Sequence, residues 1–200
     1  MLLAAEESQL VLVDYQAKLM PSIHEGELVV RNALRLARLA KLLDVPAWGT
    51  EENPAGLGEN PPELKALCRK TLTKMQFSGV AEGLGEWLRP ARAAPAGNAR
   101  SLPKHLQRPA QPQAERNAIV MAGCEAHVCL MQTSLDLLDE EFEVWVVTDA
   151  CSSRSERNRD AAFDRLAGAG AELVTTEMVA FEWLRTAEHP LFKQALSLIK

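Results

Sequence analysis

The 200-residue sequence lacks paired cysteine motifs, an excess of basic residues and any long apolar run. Its four cysteines, Cys68, Cys124, Cys129 and Cys151, form none of the CxxC pairs typical of zinc or thioredoxin-like redox sites. Reduced thiols are therefore expected, with a local disulfide between Cys124 and Cys129 as the alternative that their spacing leaves open. The net charge of −5 argues against a surface for nucleic acid or anionic membrane, because such surfaces require clustered lysine and arginine.

The N-terminus shows no targeting pattern. It has no basic stretch, and acidic residues interrupt it before a hydrophobic segment could form. No apolar run approaches the length of a transmembrane helix. We therefore expect a cytoplasmic protein without a membrane partner.

What the sequence does contain is a sustained alternation of strand and helix patterns. Strand-like segments are predicted at 9–14, 45–50, 71–78, 118–124, 142–149 and 169–175. Helices are predicted to begin near Pro21, Ser155 and Thr176, one is predicted from Pro62 to Lys70, and one is predicted to begin at Cys129. This alternation favours an α/β fold with a mostly parallel sheet of about six strands between two helical layers. The length suits one domain, residues 1–200.

One stretch interrupts the pattern. Residues 90–116 contain five prolines in 27 positions, and five basic residues against one glutamate give a local charge of +4. The segment has too little apolar material for a core of its own, so we interpret it as a surface loop insertion. A lid or an oligomer contact is the alternative interpretation.

Three residues carry the chemical hypothesis. Cys129 falls where a helix is predicted to begin, and the positive end of a helix lowers the pKa of a thiol. Asp14 ends the first strand and could act as its base, with Lys74 as a neighbouring cation. The N–H groups at the turn before Cys129 could form an oxyanion hole. The alternative is that Cys129 is only a small buried apolar residue.

A series of short, distinct motifs runs along nearly the whole chain outside residues 90–116. They are Val13-Asp14-Tyr15-Gln16, Thr50-Glu51-Glu52-Asn53-Pro54, Lys74 with Phe77-Ser78, Gly123-Cys124-Glu125-Ala126-His127-Val128-Cys129 with Gln132-Thr133, and Asp149-Ala150 with Ser152-Ser153-Arg154. In this order they resemble the isochorismatase-like cysteine hydrolase family, and within it the isochorismatase domain-containing subgroup. Two residues depart from the pattern. Cys124 stands where the family usually has an aliphatic residue, and Glu52 stands where it usually has glutamine, a change that could alter the substrate pocket.

The resemblance implies a Rossmann-like sheet that carries a catalytic triad of Asp14, Lys74 and Cys129. It further implies a cis peptide bond between Cys124 and Glu125, which turns the N–H groups of Glu125 and Cys129 toward one oxyanion. We expect no metal, because residues 50–74 contain neither the histidine nor the aspartate with which the nicotinamidases of this superfamily hold an ion. No cofactor is expected, and homo-oligomers are the rule in this family.

The resulting hypothesis is a cysteine hydrolase that cleaves a small-molecule amide or related C–N bond through a thioester. Four residues are candidates for substrate binding: Gln16, Glu51, Phe77 and His127. Gln16 and Phe77 flank the triad in sequence, and Glu51 follows the second strand. His127 precedes Cys129 by two residues, although a structural role in the turn is the competing interpretation. For the whole chain, the alternative is a non-catalytic or redox-responsive binding protein that retains the fold.

Overall fold

The computed structural model of the protein describes residues 2–89 and 116–200. The predicted 90–116 insertion lies outside the described residues except for Arg116. Among the described residues, no helix has both the length and the hydropathy needed to cross a bilayer.

The described residues contain six strands, which form one sheet in the order β3-β2-β1-β4-β5-β6. Every neighbouring pair is parallel. The strands are β1 (Ser8–Val13), β2 (Ala47–Glu52), β3 (Lys70–Lys74), β4 (Ala118–Cys124), β5 (Glu143–Ser152) and β6 (Glu172–Val174). All residues of β1 and β4 are buried, as expected for the central strands of a sheet that is covered on both faces.

Eight α-helices lie in the same ranges of the chain. They are α1 (Gly26–Leu42), α2 (Pro54–Leu57), α3 (Pro62–Lys65), α4 (Leu84–Leu88), α5 (Met131–Asp139), α6 (Glu156–Gly168), α7 (Thr176–Leu184) and α8 (Phe192–Ile199). Helices α1, α7 and α8 pack together in one layer, and α5 packs with α6 in the other. The predicted Rossmann-like α/β/α architecture is confirmed.

Two helix boundaries away from Cys129 differ from the prediction. Residues Met20–Ser22 form a 3₁₀ turn, and α1 begins only at Gly26, where a Cβ atom would lie 2.7 Å from the Met20 carbonyl oxygen. The helix predicted from Pro62 to Lys70 ends at Lys65. Its extension is prevented because the Arg69 N–H donates to the Ala47 carbonyl (2.8 Å), which draws the chain into β3.

The strand order places a crevice at the centre of the sheet. The chain runs outward from β1 to β3 and then returns to β4, which lies on the other side of β1. Connections therefore leave the carboxyl ends of β1 and β4 in opposite directions, and such a switch point is where open α/β sheets bind ligands. Asp14 follows β1 directly, and the segment that holds Cys129 follows β4.

Candidate active site

Asp14 lies at the carboxyl end of β1, fully buried and with a left-handed backbone (φ 53°) that aspartate tolerates better than most residues. Both of its carboxylate oxygens are engaged. Oδ1 accepts a hydrogen bond from Thr50 Oγ1 (2.6 Å), and Oδ2 accepts one from Lys74 Nζ (2.7 Å). These contacts determine the orientation of the carboxylate at the switch point.

Lys74 is the last residue of β3, and only 1% of it is exposed. Its ammonium group lies between two carboxylates, because Nζ donates to Glu52 Oε2 (2.9 Å) as well as to Asp14. Burial by itself lowers the pKa of Lys74. The charge of Asp14 and the hydrogen bonds to Asp14 and Glu52 outweigh that effect, so the pKa lies above its ordinary value and the side chain carries a charge.

Cys129 lies in a π-helical turn, Ala126–Leu130, that precedes α5. The predicted helix start at Cys129 is therefore wrong, since helical backbone begins three residues earlier. Single atoms of Cys129, Asp14 and Glu52, the thiol sulfur and one oxygen from each carboxylate, all lie within 4.8 Å of one another. With Lys74, these residues form what we call the thiol cluster.

The expected lowering of the Cys129 pKa is also wrong. Burial raises the pKa of this thiol, which is only 6% exposed, and the negative charges of Asp14 and Glu52 raise it further. Lys74 opposes these effects without reversing them. The resting site therefore holds a neutral thiol that faces a charged carboxylate, in place of a stable thiolate.

The turn between β4 and Cys129 depends on Gly123. A Cβ atom at this position would lie 2.3 Å from the Val13 carbonyl oxygen, so only glycine permits this close approach of β4 to the end of β1. The following peptide bond, Cys124–Glu125, is cis. The Glu125 N–H donates to no acceptor within the part of the chain that the structure describes.

The side chains around the turn bond to one another. Arg154 Nε donates to Glu125 Oε1 (2.6 Å), so this arginine ties the turn to the segment after β5. The His127 ring contacts Ser153 Oγ through Nδ1 (2.9 Å) and the Asn158 side chain through Nε2 (3.4 Å). Both ring nitrogens of His127 thus face protein groups.

The other three candidates for substrate binding lie in different environments. Gln16 is buried, and its amide donates to the Glu52 and Gly58 carbonyls and accepts from the Glu52 N–H (2.8 Å). The Glu51 carboxylate accepts from the Asn60 N–H (2.8 Å) and pairs with Lys65. Phe77 is 52% exposed on the loop after β3.

Thr50 and Glu52 were not among the candidate site residues from sequence, although Glu52 stood out as a departure from the family pattern. Successive residues of a strand point to opposite faces of the sheet, so the side chains of Thr50 and Glu52 point toward Asp14 and that of Glu51 points away. The parallel register also pairs Glu52 with Lys74. The alternation of side chains along β2 was the available signal, but using it requires knowing which face of the strand points toward Asp14.

Asp14, Glu52 and Cys129 also bring together atoms that could hold a metal ion. Lys74 Nζ already donates hydrogen bonds to both carboxylates, so an ammonium group lies where a divalent cation would need to bind them. The donor set therefore fits a metal poorly. The absence of a metal from the working protein stays a prediction.

The doubly wound parallel sheet and the buried thiol cluster at its switch point define a class of α/β protein with a cysteine-centred candidate active site. Comparison with known proteins gives the family: the chain belongs to the isochorismatase family. The family model for the isochorismatase domain matches residues 102–178. Isochorismatase domain-containing protein 2A of Mus musculus is 36% identical over 195 residues, which cover 98% of this chain and 84% of the mouse protein.

Further relatives agree with this assignment. Isochorismatase domain-containing protein 2 of Xenopus laevis is 37% identical, with 98% of this chain and 85% of that protein covered. Among solved structures, the MAR1 ribonuclease from Caenorhabditis elegans superposes with a TM-score of 0.83 at 29% identity, covering 100% of this chain and 92% of that one. The ycaC gene product of Escherichia coli, an octameric hydrolase of unknown specificity, gives 0.80 at 26% identity, covering 100% and 89%.

Proposed function

We propose that this protein is a cysteine hydrolase that cleaves a small-molecule amide or related C–N bond, without a cofactor, through a thioester at Cys129. The observation that carries the proposal is the burial of the Cys129 thiol within 4.8 Å of an Asp14 oxygen whose carboxylate also binds Lys74. A nucleophile, a base and a cation that holds the base are the parts that acyl transfer requires.

The neutral resting thiol defines the first step. As the sulfur attacks the carbonyl carbon, Asp14 accepts the thiol proton, so that the thiolate forms only in the presence of substrate. The N–H groups of Glu125 and Cys129 would stabilise the oxyanion. The C–N bond then breaks, the proton on Asp14 passes to the leaving nitrogen, and the acyl group remains on sulfur as a thioester.

Water completes the cycle. Asp14, again a carboxylate, takes a proton from water as the oxygen attacks the thioester carbonyl. The C–S bond breaks, the acid leaves, and the proton returns to sulfur. Lys74 stays protonated in both half-reactions, and its role is to orient Asp14 through the hydrogen bond from Nζ to Oδ2.

The test is turnover of a panel of primary amides by the wild type and by Cys129→Ala, with Cys68→Ala as a matched control outside the thiol cluster. We expect Cys129→Ala to lose at least about a thousandfold in kcat/KM, the scale for removal of a covalent nucleophile, and Cys68→Ala to keep its activity. Rapid quenching should trap an acyl adduct on Cys129, seen by peptide mass. Substantial turnover by Cys129→Ala, or an adduct on another residue only, would overturn the proposal.

The C. elegans neighbour is named a ribonuclease, so the panel should include RNA. The thiol cluster has two carboxylates against one ammonium, and this balance disfavours a phosphodiester. We expect no cleavage of RNA. If no amide is hydrolysed and peroxide converts Cys129 to a sulfenic acid, the redox-responsive alternative would replace the hydrolase.

We further propose one domain, a cytoplasmic location and a homo-oligomer. Strands on both sides of residues 90–116 belong to the same sheet, which supports one domain. The octameric E. coli relative and the exposed apolar side chains of Leu2, Met178 and Phe181 support self-association, which light scattering would measure.

A further inference from the structure

Glu52 is held in place at the end of β2 by two independent contacts. Its backbone is clamped by Gln16, whose Oε1 accepts from the Glu52 N–H (2.8 Å) and whose amide donates to the Glu52 carbonyl (2.8 Å). Its carboxylate accepts from Lys74 through Oε2 (2.9 Å). Because both ends of the residue are held, the carboxylate remains directed at the thiol cluster.

The charge of Glu52 is not balanced within the thiol cluster. The proposed chemistry needs one carboxylate, Asp14, and one ammonium, Lys74, and these two neutralise each other. Glu52 therefore leaves a net charge of about −1 beside a neutral thiol. Its second oxygen, Oε1, takes part in no side-chain hydrogen bond among the described residues, and 12% of the side chain is exposed.

We propose that Glu52 is a specificity-determining residue, which accepts a hydrogen bond from, or pairs with, a positively charged or N–H-rich group of the substrate next to the scissile carbonyl. The inference rests on the proposed hydrolase function and specifies its substrate class. A cationic amide is attracted by the unbalanced carboxylate, whereas an amide that carries its own carboxylate is repelled at a distance of about 5 Å from a charge in a partly dehydrated site.

The test uses charged thiol reagents, so it needs no known substrate. 2-Aminoethyl methanethiosulfonate is a cation and 2-sulfonatoethyl methanethiosulfonate is an anion. Each forms a mixed disulfide with a cysteine thiol and releases methanesulfinate. The quantity measured is the ratio of the two rate constants at Cys129, located by peptide mass, for the wild type, for Glu52→Gln and for Glu51→Gln as a matched control.

The cation-to-anion ratio should fall about tenfold in Glu52→Gln, the order expected for removal of one charge about 5 Å from the reagent. Glu51→Gln removes the same charge one residue away on the opposite face of β2, and its ratio should stay within about twofold of the wild type. Glu52→Asp, which keeps the charge, should keep most of the preference. An unchanged ratio in Glu52→Gln, or an equal fall in Glu51→Gln, overturns the proposal.

Two further measurements keep the outcome decisive. If Glu52→Gln does not fold, the cation-to-anion ratio at Cys129 of the wild type is compared with the ratio for an unstructured cysteine peptide. A higher ratio at Cys129 than in the peptide supports the proposal. An equal or lower ratio overturns it. Charge selectivity at Cys129 without amide turnover would refute the hydrolase function and leave the role of Glu52 in recognition intact. If the wild type hydrolyses an amide, Cys129→Ala does not, and the Cys129 thiol shows no charge selectivity, the hydrolase function would stand and the role of Glu52 in recognition would be refuted.

Discussion

Replacing Lys74 with methionine tests how the thiol cluster is held together. Methionine approximates the length of the lysine side chain and keeps its apolar contacts, but it removes the ammonium group that donates to Asp14 (2.7 Å) and Glu52 (2.9 Å). Only 1% of Lys74 is exposed, so water cannot take the place of the lost partner without rearrangement. Two carboxylates would then face each other without a counter-charge.

The size of the effect follows from the geometry. Breaking a buried ion pair by removing one partner costs about 3–5 kcal/mol. The remaining carboxylates have oxygens within 4.8 Å of each other, and at an effective dielectric constant of about 20 they would repel by roughly 3 kcal/mol. We therefore expect one of them to take up a proton, and the melting temperature to fall by roughly 10 °C for a protein of this size.

That proton makes the loss depend on pH. In Lys74→Met, the folded pKa of one carboxyl lies above its unfolded value near 4, so the folded state binds more protons than the unfolded state as pH rises above 4. The free energy of unfolding must then decrease with rising pH. Urea titrations should show a larger deficit relative to the wild type at about pH 8 than at about pH 5.

The control is Lys65→Met. Lys65 also contacts two carboxylates, Glu51 (3.2 Å) and Glu59 (2.8 Å), but its side chain is 30% exposed and Glu51 keeps the hydrogen bond from the Asn60 N–H, so this loss should be clearly smaller than that of Lys74→Met. If Lys74→Met were as stable as Lys65→Met, or became more stable with rising pH, the assignment of Lys74 as the buried counter-charge of the thiol cluster would be refuted.

Three other predictions concern Asp14 and the thiols. Thr50→Val removes the hydroxyl that donates to Asp14 Oδ1 (2.6 Å). The free energy of unfolding should fall by about 1.5–3 kcal/mol, and kcat should fall as well. Full activity would contradict the role of Thr50 in orienting Asp14. Asp14→Asn removes a charge that raises the Cys129 pKa, so iodoacetamide at about pH 9 should label Cys129 faster than in the wild type although turnover is lost; slower labelling would refute this account. At that pH Cys68, whose pKa burial raises to about 11, should label slowly, and its rate should still increase when the pH is raised to about 10.

Much of the site could be predicted from sequence because its parts lie at strand ends. The apolar run of β1 ends directly before Asp14, and the strand, glycine turn and helix after residue 118 place Cys129 beside the same end of the sheet. These patterns are local, so they can be recognised without knowing how the segments pack together. The parallel α/β sheet follows from the same alternation, which is why the fold class was predictable.

Other features depend on distances between segments far apart in the chain. Glu51 and Glu52 are adjacent acidic residues, and the register of β2 against β3 pairs only Glu52 with Lys74. Glu51 points to the other face of the sheet, where it contacts Lys65 of α3. Gln16 was expected near a substrate, but the fold uses its amide to hold the backbone of Glu52.

The sequence by itself determined which residues stand at the ends of the strands, because apolar runs and turn residues mark where each strand ends. The tertiary structure alone decided the ionisation of Cys129. A helix start favours a thiolate, but burial and the carboxylates of Asp14 and Glu52 raise the thiol pKa. Local pattern cannot predict that result, since desolvation and Coulomb energies depend on which groups the fold brings within a few ångströms.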